Sequence, residues 1–444
     1  MRGIFGMLKG LFTQAIRQFR NKLIIKLFKK GAEGLADVGV VMPVYIQNPD
    51  FLRQALDSVL KQTFSGFRLV IVIDGAPEME ALVSRCSAGD PRVFIISYPE
   101  NAGVAHALNT GFDVLLGDNE IRYLTWVSSD NVYDPAFLEV LRAALVKGPP
   151  ELGLVYSSFR SIDNDGVQLD NEHKLAALRQ YQGQPKAKLL DSSIIGVSFM
   201  YKTEPARQAG GYRMQPVEDY DYWLRLEEHC DIRFLPIELM DYRVQSSHSV
   251  SAQLTSKENH RRWRYTFHLT RLQARGRRGI PPVLTILYVV QAPDPHHDYA
   301  LENIYEQTFS NYIFRIIDVS ADNQASAALA GISHPITEFA WLPGASVQHA
   351  LYRMLLGVST PYTLLFGPEL FISYMDIEYL MAGLIKNGET SISNYYTPDH
   401  SRIGYRSRGV PSVKQSLTNE LFKTDALQEL YQLNMLHNSA GNEG

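Results

Sequence analysis

The chain has 444 residues, too many for one ordinary hydrophobic core, so two or three domains are expected. Its 45% hydrophobic and 20% charged residues are ordinary for a folded globular protein, and two distant cysteines, Cys86 and Cys230, exclude a disulfide scaffold and suit a reducing compartment. Residues 1–30 hold eight basic side chains and no acid, which leaves 35 basic against 47 acidic residues in the rest of the chain and makes that body a poor nucleic-acid binder.

The basic arm comes first. Wound as a helix, Ile4, Leu8, Leu11, Phe12, Ala15 and Phe19 share one face, and Arg2, Lys9, Arg17 and Arg20 the other. From Lys22 the phase inverts, which predicts two short amphipathic helices or one broken near Asn21. An apolar face opposite an all-basic face fits the surface of an anionic membrane. The alternative is packing on the protein's own body or on a second subunit. No run approaches the roughly 20 apolar residues of a membrane span, and charges interrupt every stretch that could serve as a signal-peptide core.

Residues 38–147 alternate between strand and helix signals. Strands are expected at 38–46, 67–73, 92–97 and 123–127, and helices at 49–62, 102–116 and 135–146. This βαβα series predicts a parallel sheet covered by helices on both faces, with ligands beyond the carboxyl ends of the strands. The residues that follow the four strands are Pro43-Val44-Tyr45, Asp74-Gly75, Asn101-Ala102-Gly103 and Ser128-Ser129-Asp130-Asn131. Each group alone reads as a turn or a cap. Four at one rim point to a site.

Four segments carry a resemblance: VVMPVYIQNPDFLRQALDSVLKQTF, FRLVIVIDGA, NAGVAHALNTG and SSDNVYDPAFL, in this order and spacing. Together they resemble the family 2 glycosyltransferases of GT-A fold. The resemblance implies a nucleotide-sugar donor, usually a UDP-sugar, an inverting transfer, and a divalent metal, Mn or Mg. It implies donor contacts from Pro43, Tyr45, Asp74, Asn101, Gly103, Ser129 and Asp130. Asp74 matches the carboxylate that meets the uracil ring, and Asp130 the second Asp of the Asp-x-Asp metal motif. Two positions depart from the pattern: Ser128 stands for the first Asp of that motif, and Ile73 for the Asp before Asp74. A lone carboxylate at a strand end still suits a hard cation that takes its other ligands from phosphate and water.

Residues 190–250 continue the resemblance. SSIIGVSFMYKTEPARQAGGY resembles the segment before the acceptor site, VEDYDYWLRL the Glu-Asp motif, and DYRVQSSHSVS the closing stretch. Asp219 matches the base that takes the acceptor's proton, with Glu218 and Trp223 in the acceptor region. The bland reading of Glu218, Asp219 and Asp221 is a helix start favoured by the helix dipole. Arg225 and Arg243 could meet phosphate or pair with neighbouring acids, and His248 is a further candidate metal ligand. NHRRW (259–263) resembles the Gln-x-x-Arg-Trp of processive polysaccharide synthases, but Asn259 replaces the Gln and no membrane spans accompany it.

Past Arg275–Pro282, read as a linker, words of the first half return. LKQTFSGF is echoed by YEQTFSNY, VAHALNTGF by VQHALYRML, and YLTWVSSDN by YTLLFGPEL. The copy has Gly367-Pro368-Glu369 in place of Ser128-Ser129-Asp130, and no Glu-Asp-Tyr-Asp stretch follows. A duplicated, degenerate Rossmann-like domain is expected, serving packing, homodimerisation or acceptor recognition.

The expected organisation is an arm (1–34), a GT-A domain (35–274), a linker (275–282) and a degenerate GT-A-like domain (283–444). The expected function is a metal-dependent glycosyltransferase on the cytoplasmic side, peripheral on the inner face of the cell membrane. Its acceptor would be a cell-envelope or lipid-linked glycan. A catalytically weak nucleotide-sugar-binding scaffold is the alternative. A nucleotidyltransferase is disfavoured, because Val44-Tyr45-Ile46-Gln47-Asn48 is not a Gly-rich basic loop.

Overall fold

A computed structural model of the protein describes residues 36–244, 256–332, 334–367, 369–396, 403–406 and 419–440. The basic arm and His248 lie outside the described residues. The chain divides into two compact units between Thr266 and Phe267. Helix Lys257–Arg277 carries it across that division, so the stretch read as a linker begins in the helix's last turn.

The first unit contains strands β1 (Val38–Val44), β2 (Phe67–Asp74), β3 (Val93–Tyr98), β4 (Tyr123–Trp126), β5 (Val132–Tyr133), β6 (Leu152–Ile162), β7 (Phe199–Lys202) and β8 (Asp231–Arg243). Its helices are α1 (Pro49–Leu60), α2 (Glu80–Ser87), α3 (Val104–Leu116), α4 (Phe137–Val146), α5 (Glu172–Gln182), α6 (Thr203–Ala209) and α7 (Glu218–Leu226), with α8 the helix at the division. The strands form one sheet in the order β3-β2-β1-β4-β7-β6-β8-β5. The first four are parallel, whereas β7 runs antiparallel to both β4 and β6.

The β2 sequence FRLVIVID is buried throughout except at Arg68, as a strand covered on both faces requires. Helix α1 begins where Asn48 Oδ1 accepts from the Asp50 N–H and Pro49 fixes the first turn, and it buries Leu52, Ala55, Leu56 and Val59 along one stripe. Helix α3 lies directly on β1 because Gly111 has no side chain: a Cβ there would stand 2.5 Å from Val41 Cγ1. This seats the start of α3 beside the carboxyl ends of β1 and β2.

The second unit contains β9 (Leu284–Val290), α9 (Pro295–Tyr305), β10 (Tyr312–Asp318), α10 (Gln324–Leu329), β11 (Thr337–Trp341), α11 (Val347–Leu355), β12 (Tyr362–Phe366), α12 (Asp376–Asn387), β13 (Ser391–Tyr396), β14 (Ile403–Arg406), β15 (Glu420–Lys423) and α13 (Thr424–Ala440). Its sheet order is β11-β10-β9-β12-β15-β13-β14. The registers of the two sheets coincide. Val38 pairs with Phe67 and Tyr123, and Leu284 with Tyr312 and Tyr362. Tyr123 pairs antiparallel with Lys202, and Tyr362 with Lys423.

The QTF words are built alike as well. Gln62 donates to the carbonyls of Ser58 and Asp134 and accepts from the Leu138 N–H. Gln307 donates to Asn303 and Ser373 and accepts from Ile377. The N–H of Thr63 donates to Pro135, and that of Thr308 to Tyr374. In both units this carboxamide fastens the first helix to the segment that follows the fourth parallel strand.

Candidate active site

The carboxyl ends of β1, β2 and β4 form one rim. At the end of β2, Asp74 is 3% exposed, and its two carboxylate oxygens accept from the N–H groups of Ala102 (2.9 Å) and Gly103 (2.8 Å). Asn101 Nδ2 donates to the Asp74 carbonyl, 3.1 Å. The adjoining Gly75 has φ +70°, and a Cβ there would lie 2.2 Å from Asn101 N, so only glycine lets the two loops close on each other. Asp74 therefore shapes the loop Asn101–Gly103 that opens α3. Pro43 is half-buried, and Tyr45 beyond it is 47% exposed.

At the end of β4, Asp130 is 7% exposed and Ser129 is buried beside it. Ser128, which occupies the first position of the motif, donates its hydroxyl to Asp130 Oδ1. Its own N–H donates to the Tyr133 hydroxyl, 2.7 Å. Gln47, just past β1, reaches Ser129 Oγ at 3.4 Å.

The acidic stretch Glu218–Asp221 forms the start of α7. Asp219 Oδ1 and Glu218 Oε2 are sealed from solvent and make no hydrogen bond. Burial pushes the Asp219 pKa well above the ordinary carboxylate range, and the neighbouring Glu218 charge adds to the shift. The indole N–H of Trp126 offsets part of it. Its geometry falls short of a hydrogen bond, because Trp126 Nε1 is also buried without a partner. Burial raises the Glu218 pKa too. Trp223 Nε1 is a fourth buried polar atom with no partner, and its ring packs edge-on against Phe199, whose ring in turn meets Trp126. Orphaned buried polar atoms are costly and uncommon in folded proteins, and these four lie together on α7 and β4.

The rim and the acidic helix are tied together. The Gln215 side-chain oxygen accepts from the N–H groups of Val104 (2.8 Å) and Ala105 (3.0 Å) and so caps α3 from the segment that leads into Glu218. Gly103 (φ +93°) permits this approach, since a Cβ would stand 2.7 Å from the Gln215 carboxamide. A chain of contacts thus runs from Asp74 through Gly103 and Gln215 to the start of α7, and from Asp219 across Trp126 to the β4 end that bears Asp130.

The two arginines are committed elsewhere. Arg225 pairs with Asp221 (2.7 Å) and donates to the carbonyls of Ala209 and Gly211. Arg243 is 1% exposed and donates to the carbonyls of Asp130, Asp163 and Asn164 and to Gln54 Oε1. Its guanidinium covers the Phe51 ring at 4.0 Å. Neither is placed as a phosphate ligand. Gln47, Gln215 and Trp126 escaped the sequence reading. Gln215 sits in a turn with no periodicity, and its partner lies more than a hundred residues upstream.

Among the described residues no three His, Cys, Asp or Glu side chains cluster as a metal site. Asp130 alone fits the mode in which a hard cation takes one carboxylate from the protein and the rest from phosphate and water. Among the described residues no helix is long and apolar enough to cross a membrane.

A mostly parallel sheet with helices on both faces, an antiparallel β7 inserted beyond β4, and carboxylates at the ends of β2 and β4 define a GT-A glycosyltransferase fold. Residues 39–210 match the model of Glycosyl transferase family 2, and the first unit belongs to that family. The chain is similar to the uncharacterized glycosyltransferase RP339 of Rickettsia prowazekii, at 26% identity over 232 residues, covering 50% of this chain and 69% of that protein. It is also similar to the O-antigen biosynthesis protein RfbC of Myxococcus xanthus, at 26% identity over 43% of this chain and 14% of that protein. Among solved structures, S. aureus TarS 1-349 in complex with UDP-GlcNAc aligns with a TM-score of 0.41 and 13% identity, covering 53% of this chain and 66% of that one.

Proposed function

We propose that the first unit transfers a sugar with inversion from a nucleoside diphosphate-sugar, of the uridine type, to a hydroxyl of a cell-envelope or lipid-linked glycan. The observation that carries this reading is the pair Glu218–Asp219. One oxygen of each, Glu218 Oε2 and Asp219 Oδ1, is buried and unpartnered, and the pair is linked through Gln215 and Trp126 to the strand ends that bear Asp74 and Asp130. In the reaction, Asp219 takes the proton of the acceptor hydroxyl as that oxygen bonds to the anomeric carbon. The bond from the anomeric carbon to the phosphate oxygen breaks, and its electron pair leaves with the nucleoside diphosphate. Asp130 would hold a divalent cation, which would supply neutralisation of the charge gathering on that diphosphate. Asp74 holds the loop Asn101–Gly103 against the nucleoside, with Pro43 and Tyr45 on the opposite side. Glu218 belongs to the acceptor region, and Trp223, fully buried, supports the helix that carries it.

The second unit keeps the sheet and the glutamine fastening, and has Glu369 where the first has Asp130. We read it as a duplicate that serves packing, self-association or acceptor recognition. The binding-scaffold alternative draws on one observation, that Ser128 already occupies an oxygen of Asp130.

Thermal shift with a panel of nucleoside diphosphates, with and without Mn²⁺, tests the reading. Stabilisation by uridine diphosphate that is enhanced by metal, and lost in Asp130→Asn, is expected. A stabilisation that ignores both metal and this substitution supports the scaffold. For the arm at residues 1–30, flotation with anionic liposomes is expected to weaken once it is deleted, and unchanged flotation would remove the membrane role.

A further inference from the structure

Just past the end of β1 lies a cavity of about 730 Å³ walled by the start of α1 and by the turn after β6. Its volume falls within the range of small-ligand sites. Its lining includes Gln47, Asp50, Phe51, Gln54, Asn164 and Asp165. We infer that this cavity is a subsite for a neutral or amino-sugar-bearing stretch of the acceptor glycan.

The first ground is chemical. A sugar ring offers neighbouring hydroxyls, each both donor and acceptor, above an apolar C–H face. The carboxamides of Gln54 and Asn164 and the carboxylate of Asp165 match the hydroxyls, and the Phe51 ring matches the apolar face. The second ground is electrostatic. The lining carries the carboxylates of Asp50 and Asp165 and neither lysine nor arginine, and the cation behind it, Arg243, is 1% exposed and engaged by protein oxygens, so the surface that a ligand meets disfavours a phosphate- or uronate-rich polymer. Asp50 is paired with Arg53, which leaves Asp165 as the decisive charge.

The third ground is rigidity. One buried cation fixes both walls: Arg243 stacks on Phe51, donates to Gln54 Oε1, and holds the turn through the carbonyls of Asp163 and Asn164. Within the turn, Asp163 Oδ1 accepts from the N–H groups of Asp165 and Val167. A site whose walls are fixed before binding loses less conformational freedom when the ligand arrives. The fourth ground is continuity, because Gln47 lines the cavity and also reaches Ser129 next to Asp130. A glycan lying here can extend its end toward the sugar-transfer site.

The inference rests on the glycosyltransferase reading for its direction, and its test is separate. Full-length protein is titrated by calorimetry with neutral, amino-sugar and uronate oligosaccharides, and in parallel with uridine diphosphate and Mn²⁺. Wild type is expected to bind neutral or amino-sugar oligomers and not the uronates. The double variant Asn164→Ala/Asp165→Ala, in an exposed turn, is expected to weaken that binding at least tenfold while nucleotide affinity stays put. Asp165→Lys is expected to shift preference toward the uronates, a readout that a merely unfolded turn would not give. Absence of oligosaccharide binding by wild type, equal binding by the double variant, or preference of wild type for uronates overturns the subsite. If nucleotide binds in any of those cases, the transferase reading stands without it. If oligosaccharide binds and nucleotide does not, the subsite stands and the donor reading falls.

Discussion

Replacing Asp219 by Asn keeps the shape of the side chain and removes its ability to take a proton. Loss of a general base costs about 10²–10⁴ in rate, or about 3–5 kcal/mol at 1.36 kcal/mol per decade. The fall should appear in kcat, with the donor's KM nearly unchanged, because the substitution leaves the Asp74 loop and Asp130 untouched. The buried environment also fixes a pH signature. Asp219 titrates well above its ordinary value of 3.8, so the rate of the wild type rises with pH through a limb displaced upward from the carboxylate range, and this limb vanishes in the variant.

Stability should move the other way. A carboxyl whose folded pKa is raised binds more protons in the native state, so the wild type loses stability as pH climbs from 3.8 through the folded value. Asn carries no such penalty. The melting temperature of Asp219→Asn should therefore exceed that of the wild type at pH 8, and the gap should close toward pH 4. Nucleoside diphosphate release from a donor panel measures the first effect, and thermal melts across pH the second. A variant that keeps more than a tenth of the wild-type kcat, or a melting gap that widens toward acid, would refute the reasoning.

Asp74→Asn offers one oxygen where two N–H groups are held. The orphaned amide should cost about 1–3 kcal/mol, a drop of roughly 2–10 °C in the first unit's melting temperature with weaker nucleotide binding by calorimetry. Gln215→Ala uncaps α3 and should cost about 0.5–2 kcal/mol. It should also raise the donor's KM, which a purely local cap would not do. Gln62→Ala and Gln307→Ala should each lower only one of two unfolding transitions in urea, by about 2–4 kcal/mol from the buried groups they orphan.

Much of the first unit was legible because its signals are local. Continuous apolar runs flanked by turn residues located β1, β2 and β4 to within one or two residues, and the spacing of Phe51, Ala55 and Val59 located α1, although the face it buries is Leu52, Ala55, Leu56 and Val59. Beyond residue 147 the reading thinned. Strands β6 and β8 are long and irregular, with register shifts near Leu152 and Ser158, and neither has a clean alternation. The rim residues were visible because each follows a strand. What each rim side chain touches was not, because Asp74 binds an amide 28 or 29 positions away and Arg243 reaches back to Gln54. Hydrogen bonds of that span leave no periodicity. The echoed words, by contrast, coincide with strand registers in two separate sheets, and short repeats can be read because each is itself a local object.

The glutamine fastening occurs once in each unit, with matching donors and acceptors, while the Glu218-Asp219-Tyr220-Asp221 helix start has no counterpart in sequence among the described residues of the second. The molecule thereby carries its own control experiment. Comparing its halves, position against position, separates side chains that keep a sheet and its helices assembled from those that serve a reaction, without recourse to any other protein.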